Sequence, residues 1–165
     1  MAESSRYLRP LPEQARWILQ GGPEALAAAA RGWAPGIPRE ACRALSSGEQ
    51  HTLWLGPEEF LLLAPVGSGI DGLRTVLEGT PHSLVDVGHR QVAVEVCGND
   101  VETLLAGACP LDLDLAHFPV SMCTRTVFGK ADIVLWRTQP QAFHLEVWRS
   151  FLPYCTELLA EFVRD

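Results

Sequence analysis

The chain has 165 residues, 47% of them hydrophobic, and a formal net charge of -7. That length suits one sizeable domain, or two very small lobes sharing a core. The acidic balance argues against nucleic acid or an anionic membrane surface as the main partner, because both need a clustered excess of Lys and Arg.

Met1 to Arg9 is polar and lacks the apolar run of a secretory signal, and the longest apolar stretches, such as Phe60 to Pro65, are too short to span a bilayer. A cytoplasmic protein is therefore expected. The five cysteines, Cys42, Cys97, Cys109, Cys123 and Cys155, are odd in number and none stands in CxxC spacing. They read as small apolar residues of a reducing compartment.

In chain order, residues 1–14 form an arm interrupted by Pro10 and Pro12, expected to be flexible unless a partner holds it. Ala15 to Gln20 alternates as a strand. Gly21-Gly22-Pro23 leads into a helix, Glu24 to Arg31, with Pro in the first turn and Glu at the positive end. Strands are predicted at Ala41 to Ser46, Thr52 to Leu55 and Phe60 to Ala64, then a short helix at Gly69 to Leu77. The second half begins with a strand at Ser83 to Val87. It continues with the strand Gln91 to Cys97, where Val92, Val94 and Val96 share a face, and a helix from Val101 to Ala108. Leu111 to Pro119 is a loop. Strands follow at Met122 to Phe128, Ile133 to Arg137 and Ala142 to Trp148, and a last helix at Phe151 to Val163 buries Leu152, Cys155, Leu158, Leu159 and Phe162.

The order strand, helix, three strands, helix occurs twice. The run LWLGPEEFLLLAPV, with Leu53-Trp54 before Pro57 and Phe60, parallels VLWRTQPQAFHLEV, with Leu135-Trp136 before Pro140 and Phe143. The expectation is an α+β fold, internally duplicated, in which residues 15–165 form a single domain of two pseudo-repeats (about 15–80 and 83–165) burying one shared core.

Five runs then carry a family resemblance. They are Leu53 to Pro65 (LWLGPEEFLLLAP), Ser83 to Gln91 (SLVDVGHRQ), Ala108 to Leu113 (ACPLDL), Phe118 to Arg137 (FPVSMCTRTVFGKADIVLWR) and Phe143 to Phe151 (FHLEVWRSF). Together they resemble the gamma subunit of bacterial heterotetrameric sarcosine oxidase, over roughly Ala15 to the C-terminus and most specifically in the second half. The resemblance implies a fold similar to part of the aminomethyltransferase (T-protein) and folate-binding YgfZ class. It also implies a non-catalytic assembly subunit. The complex would oxidise sarcosine to glycine, yielding hydrogen peroxide and formaldehyde or 5,10-methylenetetrahydrofolate. FAD, FMN, NAD, zinc and tetrahydrofolate would be held by the alpha, beta and delta subunits. No catalytic, cofactor-binding or metal-binding residue is implied for this chain. The alternatives are a small folate-binding or aminomethyltransferase-like protein acting alone, and a homo-oligomer of other function.

The residues themselves offer few sites. Gly21-Gly22 and Gly67-x-Gly69 precede helices but lack the longer glycine fingerprints of phosphate loops. Asp86, His89 and Arg90 have the types of an acid–base cluster, yet the plainer expectation is a tight connection with Asp86 bonding turn backbone. Cys109, His117 and Cys123 match no compact zinc spacing. The candidate partner interface is Arg125, Lys130, Trp136, Arg137, Trp148 and Arg149, because Arg beside Trp is enriched at the centres of protein interfaces.

Overall fold

A computed structural model describes residues 7–164. Its elements are β1 (Leu8–Pro10), β2 (Gln14–Gly21), α1 (Pro23–Gly32), β3 (Ala44–Ser47), β4 (Gln50–Gly56), β5 (Glu59–Pro65), α2 (Asp71–Leu77), β6 (His82–Asp86), β7 (Gln91–Cys97), α3 (Val101–Ala106), β8 (Cys123–Phe128), β9 (Ala131–Gln139), β10 (Ala142–Trp148), a 3-10 turn (Arg149–Phe151) and α4 (Leu152–Arg164). They form two compact units. One is Glu13–His89; among the described residues the other runs from Arg90 onward and includes residues 7–12. No helix among the described residues is long and apolar enough to cross a membrane.

The unit Glu13–His89 has an antiparallel sheet in the order β3-β4-β5-β2-β6. Alternation along β2 and β5 puts Trp17, Leu19, Phe60 and Leu62 on the face covered by α1 and α2. Against them α1 presents Ala25, Ala28 and Ala29, whose small size lets the helix sit close to the strands. The loop after α1 is fastened by Trp33, whose Nε1–H donates to Thr52 Oγ1 at 2.9 Å, while the Thr52 hydroxyl donates to the Gly36 carbonyl at 2.8 Å.

The second unit has an antiparallel sheet in the order β1-β7-β10-β9-β8. Its core joins Val94, Val96, Leu135, Phe143 and Leu145 to Leu105, Cys155 and Leu159 from α3 and α4. The four strands β7-β10-β9-β8 repeat β2-β5-β4-β3, each with a helix after its first and fourth strand in chain order. The duplication extends to register. Phe60 lies opposite Leu19 and Trp54, and Phe143 opposite Val96 and Arg137, each beside a bulge at the hairpin end. Both rings are buried, at 1% and 0% exposure.

Three expectations need correction. The strand at His82–Asp86 does not open the second repeat; it pairs with β2 and completes the first sheet. The matching fifth position of the second sheet is taken by β1, so part of the presumed arm is an edge strand on β7. Lastly, the two Leu-Trp dipeptides are not equivalent. The partner of Phe143 is Arg137, so Trp54 corresponds to Arg137, and Trp136 points to the opposite face. Boundaries also shift: β3 begins at Ala44 rather than Ala41, because Cys42 has a φ of 58° and breaks the extended backbone.

Because the two phenylalanines hold equivalent core positions, Phe60→Ala and Phe143→Ala should each cost about 3–5 kcal/mol, as deletion of a buried aromatic does. Urea unfolding followed by circular dichroism measures this, and a loss under about 1 kcal/mol at either site would contradict a core role.

Candidate functional site

A heavily bonded polar side chain is Arg137 on β9, which is 0% exposed. Its guanidinium carbon lies 4.7 Å from the centroid of the Phe143 ring. Nε donates to the Pro140 carbonyl at 3.2 Å, and one terminal nitrogen donates to the carbonyls of Leu113 (2.9 Å) and Phe118 (2.6 Å). The other donates to the Pro140 carbonyl at 2.8 Å and forms an ion pair with Glu102 of α3. The backbone adds two bonds, Arg137 N–H to Met122 O at 2.9 Å and Ser121 N–H to Arg137 O at 2.8 Å. Arg137 thereby fixes the loop between α3 and β8. That loop shapes itself further through Asp112 Oδ1, which accepts from Asp114 N–H, and Asp114 Oδ1, which accepts from Ala116 N–H. His117 Nδ1 lies 2.7 Å from Asp112 Oδ2 on the exposed side.

Arg137 therefore does not form part of an exposed partner surface. The loop's carbonyls have no strand ladder to satisfy them, and one arginine supplies several donors at once. Trp136 is also buried, at 8% exposure, with its ring 5.5 Å from that of His144. His144 Nε2 in turn lies 2.7 Å from Glu146 Oε1, and both side chains are buried. Arg125 and Lys130 are exposed; the Lys130 N–H donates to the Tyr154 hydroxyl at 3.1 Å.

The remaining candidates regroup. Asp86 Oδ1 accepts from Gly88 N–H at 2.8 Å, closing a turn, and His89 is exposed. Arg90 instead lies over the ring of Trp148, at 5.2 Å from its centroid. Trp148 is 46% exposed and Arg149, also exposed, donates its backbone N–H to Arg90 O at 2.8 Å. Phe151, at 40% exposure, stands just beyond. The sequence reading missed Phe151 as a surface residue. Its absence from the buried stripe of α4 was the available signal.

A cleft of about 390 Å³ opens beside β1, lined among others by Tyr7, Arg9, Glu95, Cys97, Asn99 and Gln141. Arg9 and Glu95 face each other there at 3.4 Å. Gly98 has a φ of 144°, and a Cβ on it would fall 2.7 Å from the Tyr7 ring, so only glycine lets β1 close over this loop. Burial raises the Cys97 thiol above its ordinary range, Arg9 counteracts this, and Glu95 adds to it. Burial also pushes Cys155 up to about 11. Cys109 contacts the Thr126 hydroxyl at 3.8 Å, and its proposed companion His117 is engaged with Asp112. Among the described residues, no group of three or more His, Cys, Asp or Glu is placed to hold a metal ion.

Two outcomes follow from this geometry. Arg137→Met should destabilise the chain by about 3 kcal/mol or more, because it leaves the carbonyls of Leu113, Phe118 and Pro140 without their donors, and denaturant titration measures the loss. In a thiol titration at pH 8, half-buried Cys42 should react first, while Cys155, held protonated, should react only on unfolding.

Comparison with known proteins places this architecture. The model of the family described as "Sarcosine oxidase, gamma subunit family" matches residues 22–162. The sarcosine oxidase subunit gamma of Arthrobacter sp is 33% identical over 121 residues, covering 72% of this chain and 60% of the relative. That of Corynebacterium sp. (strain P-1) is 29% identical over 142 residues, covering 85% and 70%. The chain thus spans 60% of the Arthrobacter relative's length. In fold it is similar to a chain of the heterotetrameric sarcosine oxidase from Corynebacterium sp. U-96 in complex with pyrrole 2-carboxylate, with a TM-score of 0.91 at 24% identity over 99% of this chain and 90% of that one. It is also similar to the glycine cleavage system aminomethyltransferase T from Bartonella henselae, with a TM-score of 0.69 at 14% identity over 92% of this chain and 44% of that one. With the family model covering most of its length, this chain belongs to the sarcosine oxidase gamma subunit family.

Proposed function

We propose that the chain is a non-catalytic assembly subunit of a cytoplasmic heterotetrameric sarcosine oxidase. The complex would demethylate sarcosine oxidatively to glycine, with hydrogen peroxide and formaldehyde or 5,10-methylenetetrahydrofolate as the other products. The alpha, beta and delta subunits would carry the FAD, FMN, NAD, zinc and tetrahydrofolate. The observation that carries this reading is the family match across residues 22–162. The disposition of the polar side chains supports it. Arg137 bonds loop carbonyls, Asp86 closes a turn, and His144 and Glu146 pair with each other out of solvent. These groups serve the fold rather than converging on an open cleft.

A folate-binding or aminomethyl-transferring role for the chain alone would rest on fold likeness, which covers 44% of the aminomethyltransferase chain. Fold by itself does not carry function. The deciding experiment is co-expression of the oxidase subunits from one source with and without this chain. The purified chain alone should release no peroxide from sarcosine. Leaving it out should lower the yield of assembled, active complex. Full assembly and activity in its absence would refute the subunit role.

A further inference from the structure

The exposed large hydrophobic residues include two aromatics, Trp148 and Phe151. Trp148 ends β10 and Phe151 ends the 3-10 turn that follows, so both lie at the same end of the sheet. Scattered surface apolar residues need no explanation, but an adjacent aromatic pair does. Two cations flank it: Arg90, lying 5.2 Å over the Trp148 ring, and Arg149, between the two aromatics in sequence. The stack holds Trp148 in place, which lowers the ordering cost of binding through it.

The fold does not require this arrangement. In the first unit, β5 ends at Pro65, the register equivalent of Trp148, and the next residue is Val66, where the second unit has Arg149. The same structural position is filled by a Pro-Val-Gly turn in one unit and by Trp-Arg-Ser-Phe in the other.

We propose that Trp148 and Phe151, flanked by Arg90 and Arg149, are the docking surface for an acidic segment with an apolar tip on another subunit of the oxidase assembly. This rests on the subunit reading above. Local charge complementarity selects the occupant: exposed Arg90, lying over the Trp148 ring, and exposed Arg149, between the two aromatics in sequence, favour carboxylates beside the apolar contact. The aromatic pair then supplies desolvated contact, in the residue types that dominate interface energetics.

The test is affinity capture of co-expressed oxidase subunits by the full chain, with wild type, Trp148→Ala, Phe151→Ala, Arg149→Glu and a Val66→Ala control. Val66 is 63% exposed and lies in the other unit. Each variant is first shown to melt as wild type does. The three patch variants should bind about tenfold more weakly or worse, and the control as wild type. Raising ionic strength should weaken the wild-type complex more than the Arg149→Glu complex. If wild type captures no subunit, the subunit reading fails and this surface with it. If wild type binds and the three patch variants match it, the surface alone is overturned. A wild-type complex insensitive to salt overturns the acidic occupant. A homodimer that Trp148→Ala dissolves makes the occupant a second copy of this chain and overturns the proposal.

Discussion

Placing a guanidinium out of water costs several kcal/mol unless its N–H groups find acceptors, and Arg137 meets that condition. Its acceptors are the carbonyls of Leu113, Phe118 and Pro140 and the carboxylate of Glu102. They come from a loop, a hairpin turn and a helix. Its flat face rests on Phe143, which Phe118 of the same loop also meets, with ring centroids 6.0 Å apart. One side chain therefore sets the path of the α3–β8 loop and the end of the β9–β10 hairpin. The first unit solves the equivalent problem differently. Trp54 stands where Arg137 does, and the loop after α1 is held by the Trp33–Thr52–Gly36 bonds. A duplicated backbone thus tolerates two chemistries for fastening its long loop, provided the loop's backbone groups are satisfied in each.

Edge completion is the second constraint. Each repeat brings four strands, and each sheet has five. In the first unit the extra strand, β6, follows the repeat; in the second, β1 precedes everything else. Both pair antiparallel with the first strand of their repeat, so neither β2 nor β7 is left as an open edge. Gly98 is what lets Tyr7 close against the end of β7. An N-terminal segment that reads as an arm is consequently structural from Tyr7 onward.

Against this background, the end of β10 stands apart. Buried Arg137 is accounted for by the carbonyls that converge on it. Trp148 and Phe151 differ in that they leave large parts of their rings, 46% and 40% of the residue surface, in solvent. The docking role proposed above would give such residues a reason to exist.

By itself the sequence determined the class of the fold and its duplication, because period-2 alternation in Trp17 and Leu19, or in Phe143, Leu145 and Val147, reports which residues share the apolar face of a strand. It also determined the family, through runs of local pattern such as FHLEVWRSF. It did not determine strand partners. The pairing of β6 with β2 and of β1 with β7 depends on contacts between segments distant in the chain, which no local propensity encodes. It also misjudged Arg137 against Arg149, though both stand beside a tryptophan. An arginine is a surface group or a core group according to whether carbonyls converge on it. Only the tertiary structure brings Leu113, Phe118 and Pro140 to one point, and leaves Arg149 at a sheet end.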